Sequence, residues 1–160
     1  MQYLYFSHSI QLRTTGSVLS TFVLLASQED VKTLSPDWLF NWENEVRLYN
    51  VYKLVLAEQP DLIQGLMSVE IRAGFVFVSL IENAPFNRES DKTYRGVAIN
   101  LFAFACKLSA EKGFDGFVAF EAKTDLIAYY QTLLGAQQIG NSNRMFIEES
   151  QAQKLIQLHF

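Results

Sequence analysis

Between residues 75 and 121 the chain passes from strand to helix and back to strand, and this step constrains the fold more than any other feature. Residues 75–81 (FVFVSLI) are its most β-prone run. Residues 96–112 are helix formers, closed by Gly113. Leu101, Ala105 and Leu108 line one face of that helix, Phe104 and Cys106 widen it, and Lys107 and Glu111 mark the outer side. A second strand follows at 117–121. The connection is too long for a hairpin, so the two strands are expected to pair in parallel.

The rest of the chain is read around that unit. Residues 1–30 are strand-like and broken at Thr15-Gly16-Ser17. Ser35-Pro36-Asp37 signals a helix start, and Trp38, Leu39 and Trp42 predict a helix over about 36–48. Strands at 51–57, 62–72 and 75–81 form an antiparallel meander, with a turn at Gln59-Pro60-Asp61 and a hairpin at Ala73-Gly74. Residues 83–93 are a polar loop containing Pro85. Thr124 is read as the N-cap of a helix ending at Leu134-Gly135. A hairpin of 137–139 with 144–148 follows, and Ser150 is read as the cap of a last helix. The expectation is one α/β domain over residues 1–160, with a mixed sheet and helices on both faces.

Composition narrows the functional classes. With 49% hydrophobic residues the chain can build a core without covalent staples. The single cysteine, Cys106, has no partner for an internal disulfide, and no Cys/His group has metal-site spacing. The histidines, His8 and His159, stand near opposite ends. A net charge of −4 argues against nucleic acid as a partner. The start of the chain lacks the pattern of a signal peptide, and the apolar run 18–26 falls short of the roughly 20 residues that span a membrane. A soluble cytoplasmic protein, monomeric or homodimeric, is expected.

The segment Tyr94-Arg95-Gly96-Val97-Ala98-Ile99-Asn100 follows a strand and a loop and opens a helix. Unsatisfied N–H groups and the macrodipole at such a start favour an anion. Here the sequence resembles the GNAT acetyltransferases. Their Arg/Gln-x-x-Gly-x-Gly/Ala loop binds the pyrophosphate of CoA, and Arg95, Ala98 and Asn100 fill its first, fourth and sixth positions. Tyr129-Tyr130 and Gly135-Ala136 resemble the family's Tyr-x-x-x-Gly-aromatic step, with one extra residue after Tyr130 and Ala136 in place of the aromatic. The resemblance spans roughly residues 50–148. It implies a GNAT-like fold in which the pantetheine arm lies between diverging strands at 75–82 and 117–121.

It also implies a chemistry: transfer of an acetyl group from acetyl-CoA, as co-substrate, directly to an unidentified primary amine. Arg95, Gly96, Val97, Ala98, Ile99 and Asn100 would hold the pyrophosphate, and a backbone N–H near Leu80 or Ile81 the thioester oxyanion. Glu82, ending the central strand, is the first candidate base; its structural alternatives are a solvated strand-end carboxylate or a partner for Arg88. Glu121 is the second candidate. Tyr130, with Tyr129 as fallback, would protonate the departing thiolate. Arg88, Lys92 and Lys123 are candidates for CoA phosphates, and Trp38 and Trp42 for core or a wall of the acceptor cleft. Cys106 is read as a buried, inert thiol. The departures from the loop motif leave an alternative: a GNAT-fold binding module without turnover.

Overall fold

The break at Gly16, whose φ is 75°, turns the chain back on itself. Strand β1 (Tyr3–Leu12) thereby pairs antiparallel with β2 (Val18–Leu25). The computed structural model describes residues 3–88 and 92–160. Residues 1–2 and residues 89–91 of the expected polar loop lie outside that description, as does the His8 side chain.

The meander follows as expected: β3 (Asn50–Leu56), β4 (Gln59–Arg72) and β5 (Phe75–Asn83) pair antiparallel in turn. Helix α3 (Val97–Glu111) then crosses over, and β7 (Val118–Glu121) pairs parallel with β5. A short hairpin of β8 (Gln137–Gln138) and β9 (Arg144–Ile147) closes that side. With β6 (Tyr94–Arg95), the sheet order is β6-β1-β2-β3-β4-β5-β7-β9-β8.

Successive side chains of the central strands go to opposite faces, and both faces are covered. Val23, Leu54, Met67 and Val78 join one core beneath α3, α4 (Ile127–Leu134) and α5 (Glu149–His159). Val51, Val55, Ile63 and Leu66 join a second core with Val31 of α1 (Gln28–Lys32) and Trp42 of α2 (Trp42–Leu48). The mixed sheet with helices on both faces is therefore observed.

Local boundaries differ where a side chain outbids the simple signal. The helix expected over 36–48 is only Trp42–Leu48, and its N-cap is Asn41, whose side chain accepts from the Asn44 amide. Residues 37–40 instead fold around a buried carboxylate described below. Helix α1 lies outside the elements expected above; Ser27 and Asp30 form a capping box at its start. The turn expected at 59–61 lies at 57–58, and Pro60 falls in a register irregularity, where a missing N–H does little harm. Thr124 opens a 3-10 turn, Thr124–Leu126, and caps nothing. Ser150 lies inside α5, which Glu148 precedes as N-cap; its hydroxyl donates to the Glu148 carboxylate.

Candidate active site

The central strand carries the geometry that matters. Opposite Ser68 and Val69 of β4 stand Leu80 and Val78, so Ser79 is an extra residue on β5. Such a bulge bends its strand and increases the twist. On its other side β5 pairs with β7 only from Val76↔Val118 to Val78↔Phe120. Past that point β5 continues to Asn83 beside β4, while β7 stays with β9, and the Ala122 amide donates to the Asn143 carbonyl at 2.9 Å. The two parallel strands diverge, and the facing edge of β5 beyond Val78 has no strand partner among the described residues.

A cavity of about 310 Å³ occupies the divergence. Val78 to Asn83 form one side and Phe120 to Lys123 the other. Phe102 of α3 and Tyr130 of α4 close it on one face of the sheet, and Leu39, Phe40 and Arg88 border it as well. Its wall is aromatic: Tyr130 packs edge-on against Phe102 and Phe120, with ring centroids 5.7 and 5.2 Å apart. Burial pushes the Tyr130 phenol above its ordinary value, and neighbouring Tyr129 adds to the effect. The group therefore holds its proton at neutral pH. Its hydroxyl makes no hydrogen bond among the described residues, so it is free to donate.

Glu82 is differently placed. Its carboxylate is 6% exposed and accepts four hydrogen bonds. Leu39 N–H (2.7 Å) and the Arg88 guanidinium (2.5 Å) reach Oε2; Phe40 N–H (3.2 Å) and the Trp42 indole N–H (2.8 Å) reach Oε1. Two carboxylate oxygens offer about four lone-pair sites, and all are engaged. This geometry leaves Glu82 no acceptor site for a substrate proton; it is a partner of Arg88 and not a solvated strand-end carboxylate. Glu121 also borders the cavity; it is exposed, and its one ion pair among the described residues is a long 3.7 Å contact with Arg144 Nε.

The residues expected to hold a pyrophosphate, Arg95 to Asn100, do not border this cavity. They stand together at the start of α3, beside β1 and β6. Gly96 is the N-cap with φ 93°, and no side chain among the described residues caps the helix. The helical bonds begin with Asn100 N–H to Gly96 C=O at 3.2 Å, so the amides of Val97, Ala98 and Ile99 have no helical acceptor. None of the three makes another hydrogen bond among the described residues. Arg95 is exposed, Ala98 and Ile99 are half-buried, and Val97 and Asn100 are buried. Asn100 does not project toward a ligand; its Nδ2 donates to Ser9 C=O (2.9 Å) and Gly96 C=O (2.6 Å).

A buried relay fixes the loop before α3. Asn87, fully buried, donates to the Gln64 backbone carbonyl and Oε1 at 3.1 and 3.0 Å and accepts from Tyr94 N–H at 2.9 Å. Neither this relay nor the walls Phe102 and Phe120 was anticipated from sequence. Asn and Phe are too common to single out without contacts. Trp42 is core, and burial holds the Cys106 thiol up at about 12. Arg88 is taken by Glu82 and the Asp37 carbonyl (3.0 Å), whereas Lys92 and Lys123 form no ion pair among the described residues.

No protein-family model matches the chain, and no curated protein matches it in sequence. Solved structures do match in shape. A mutant AtaT toxin, bound to the C-terminus of the antitoxin AtaR and acetyl-CoA, superposes at a TM-score of 0.59 with 14% identity, covering 86% of this chain and 98% of that one. A GNAT-family acetyltransferase from Listeria monocytogenes gives 0.54 and 14%, covering 80% and 93%. The PaiA N-acetyltransferase of Thermoplasma acidophilum, in complex with coenzyme A, gives 0.55 and 12%, covering 81% and 99%. At such identities the likeness establishes the fold: this chain has the GNAT acetyltransferase fold.

Proposed function

We propose, with the GNAT fold as premise, that this protein is an acyl-CoA-dependent N-acyltransferase moving an acetyl group from acetyl-CoA to a primary amine. The observation that carries the proposal is the divergence of β5 from β7 after Val78 and Phe120, with an unpaired strand edge bordering an apolar cavity. An amide-bearing pantetheine arm suits that edge, because it pairs with backbone groups as a strand does. The free amides of Val97, Ala98 and Ile99, with Arg95 and Gly96, suit a pyrophosphate. Asn100 serves this start from behind, through its bonds to Ser9 and Gly96.

In the reaction the neutral amine attacks the thioester carbonyl carbon. The C–N bond forms, the C–S bond breaks, and the thiolate takes the Tyr130 phenol proton. The ammonium proton leaves to Glu121 or to solvent, and solvent returns a proton to Tyr130. A backbone N–H on the Leu80–Ile81 edge holds the developing oxyanion. We assign the base role to Glu121 because its carboxylate retains free lone pairs, whereas those of Glu82 are filled.

The test is calorimetry with acetyl-CoA, followed by CoA-thiol release with a panel of primary amines. Heat and amine-dependent thiol release are expected; no heat at hundreds of micromolar acetyl-CoA overturns the proposal. A CoA-binding module without turnover is the second reading, favoured by the full engagement of Glu82. Heat without thiol release for any amine selects it.

A further inference from the structure

The four donors on Glu82 come from two separate stretches of chain. Leu39 and Phe40 belong to the segment between α1 and α2, Trp42 opens α2, and Arg88 belongs to the loop that leads from β5 to α3. Arg88 also donates to the Asp37 carbonyl at 3.0 Å, so it ties the two stretches directly as well. Residues 34–41 have no helix or strand of their own. Their backbone N–H groups need acceptors, and two of them find one in Glu82. Leu39 and Phe40 are 73% and 40% exposed, and both border the cavity between the diverging strands.

We propose that Glu82 is a positioning residue: with Arg88 it clamps the Leu39–Phe40 wall at the mouth of the cavity, and the clamp tightens when an acyl-CoA fills that cavity. The inference rests on the acyltransferase reading. A thioester arm lying along β5 covers Leu39 and Phe40 and excludes water from the carboxylate cluster behind them. Charge-assisted bonds strengthen when water is excluded. The wall is thereby set for the acceptor only once the donor is in place.

The chain carries its own reporter. Both of its tryptophans, Trp38 and Trp42, lie in the clamped stretch, and the Trp42 indole is itself a ligand of Glu82. The experiment follows tryptophan emission and acrylamide quenching of the full chain during a calorimetric titration with acetyl-CoA, for the wild type, Glu82→Gln and Arg88→Lys. In the wild type, binding should be accompanied by a blue shift and reduced quenching. Glu82→Gln places an N–H₂ where an acceptor is needed. It should start more quenchable and lose the emission response, yet keep acetyl-CoA affinity within about tenfold. Arg88→Lys keeps the charge but loses the planar guanidinium whose Nη2 donates to both Glu82 and the Asp37 carbonyl, and should show a diminished response.

An unchanged wild-type emission at calorimetric saturation overturns the clamp while leaving the acyltransferase reading intact. An intact response in Glu82→Gln overturns it equally. Should Glu82→Gln fail to fold, by near-ultraviolet circular dichroism, the wild-type and Arg88→Lys titrations decide. Absence of any binding heat in the wild type overturns the acyltransferase reading and the clamp with it.

Discussion

Tyr130 combines a half-buried ring with a hydroxyl that no described residue holds, and this makes its role separable from its packing. Tyr130→Phe keeps the edge-on contacts and removes only the proton. Turnover should fall by about 10²-fold or more with acetyl-CoA affinity unchanged, as read by thiol release and calorimetry. Cys106 is the opposite case. Its thiol is buried and held at about 12, so native protein at mildly alkaline pH should resist iodoacetamide, whereas unfolded chain reacts within minutes. Mass spectrometry distinguishes the two.

His159 makes a third prediction at this scale. It is half-buried, its Nε2 is buried with no partner among the described residues, and burial lowers its pKa from 6.5. The unfolded chain thus binds more protons in the window below 6.5. Its contribution to stability is full above that window and declines as pH falls through it. Urea midpoints should drop on acidification more steeply in the wild type than in His159→Gln.

At the scale of elements, the approach of α3 to the sheet depends on a missing side chain. A Cβ at Gly65 would stand 2.6 Å from Val97 Cγ1, 3.3 Å from Leu101 Cδ1 and 3.3 Å from the Glu82 carbonyl. Gly65→Ala should destabilise by roughly 1–3 kcal/mol through overpacking. Val97→Ala in the same chain should restore part of that loss, a coupling that denaturant unfolding of the two single variants and the double variant measures. None of this could be read from the sequence, where Gly65 interrupts a strand without showing what approaches it. The elements themselves were legible wherever their pattern was local: the meander, the parallel step and Gly135 as a left-handed helix stop at φ 66°. Legibility failed where a distant group decided. Ser35-Pro36-Asp37 looks like a helix start, but a carboxylate more than forty positions away takes the amides that would have begun it. The same holds for the candidate site. Tyr130, Leu80 and Ile81 meet at one cavity, whereas the role of Glu82 depended on donors that only the fold supplies.

For the whole molecule, the divergence of two neighbouring strands leaves the centre of the sheet incompletely bonded. A ligand that fills it adds its binding free energy to folding. Acetyl-CoA at about 100 times its dissociation constant should stabilise by about 2.7 kcal/mol. For a chain of this length that corresponds to a rise in Tm of roughly 5–10 °C, readable by thermal scanning.

The strand β1 lies before residues 50–148, the stretch whose sequence resembles acetyltransferases. It also holds the start of α3 from outside: Ser9 accepts from Asn100, Gln11 and Leu12 pair with Arg95 and Tyr94, and the Arg13 amide and side chain donate to the carbonyls of Thr93 and Lys92. Anyone who shortens this protein to its recognisable middle for expression or crystallography removes the scaffolding of the very turn they hope to see occupied. A boundary drawn by sequence likeness alone would yield a fragment with its diverging strands intact and the start of α3 unmoored.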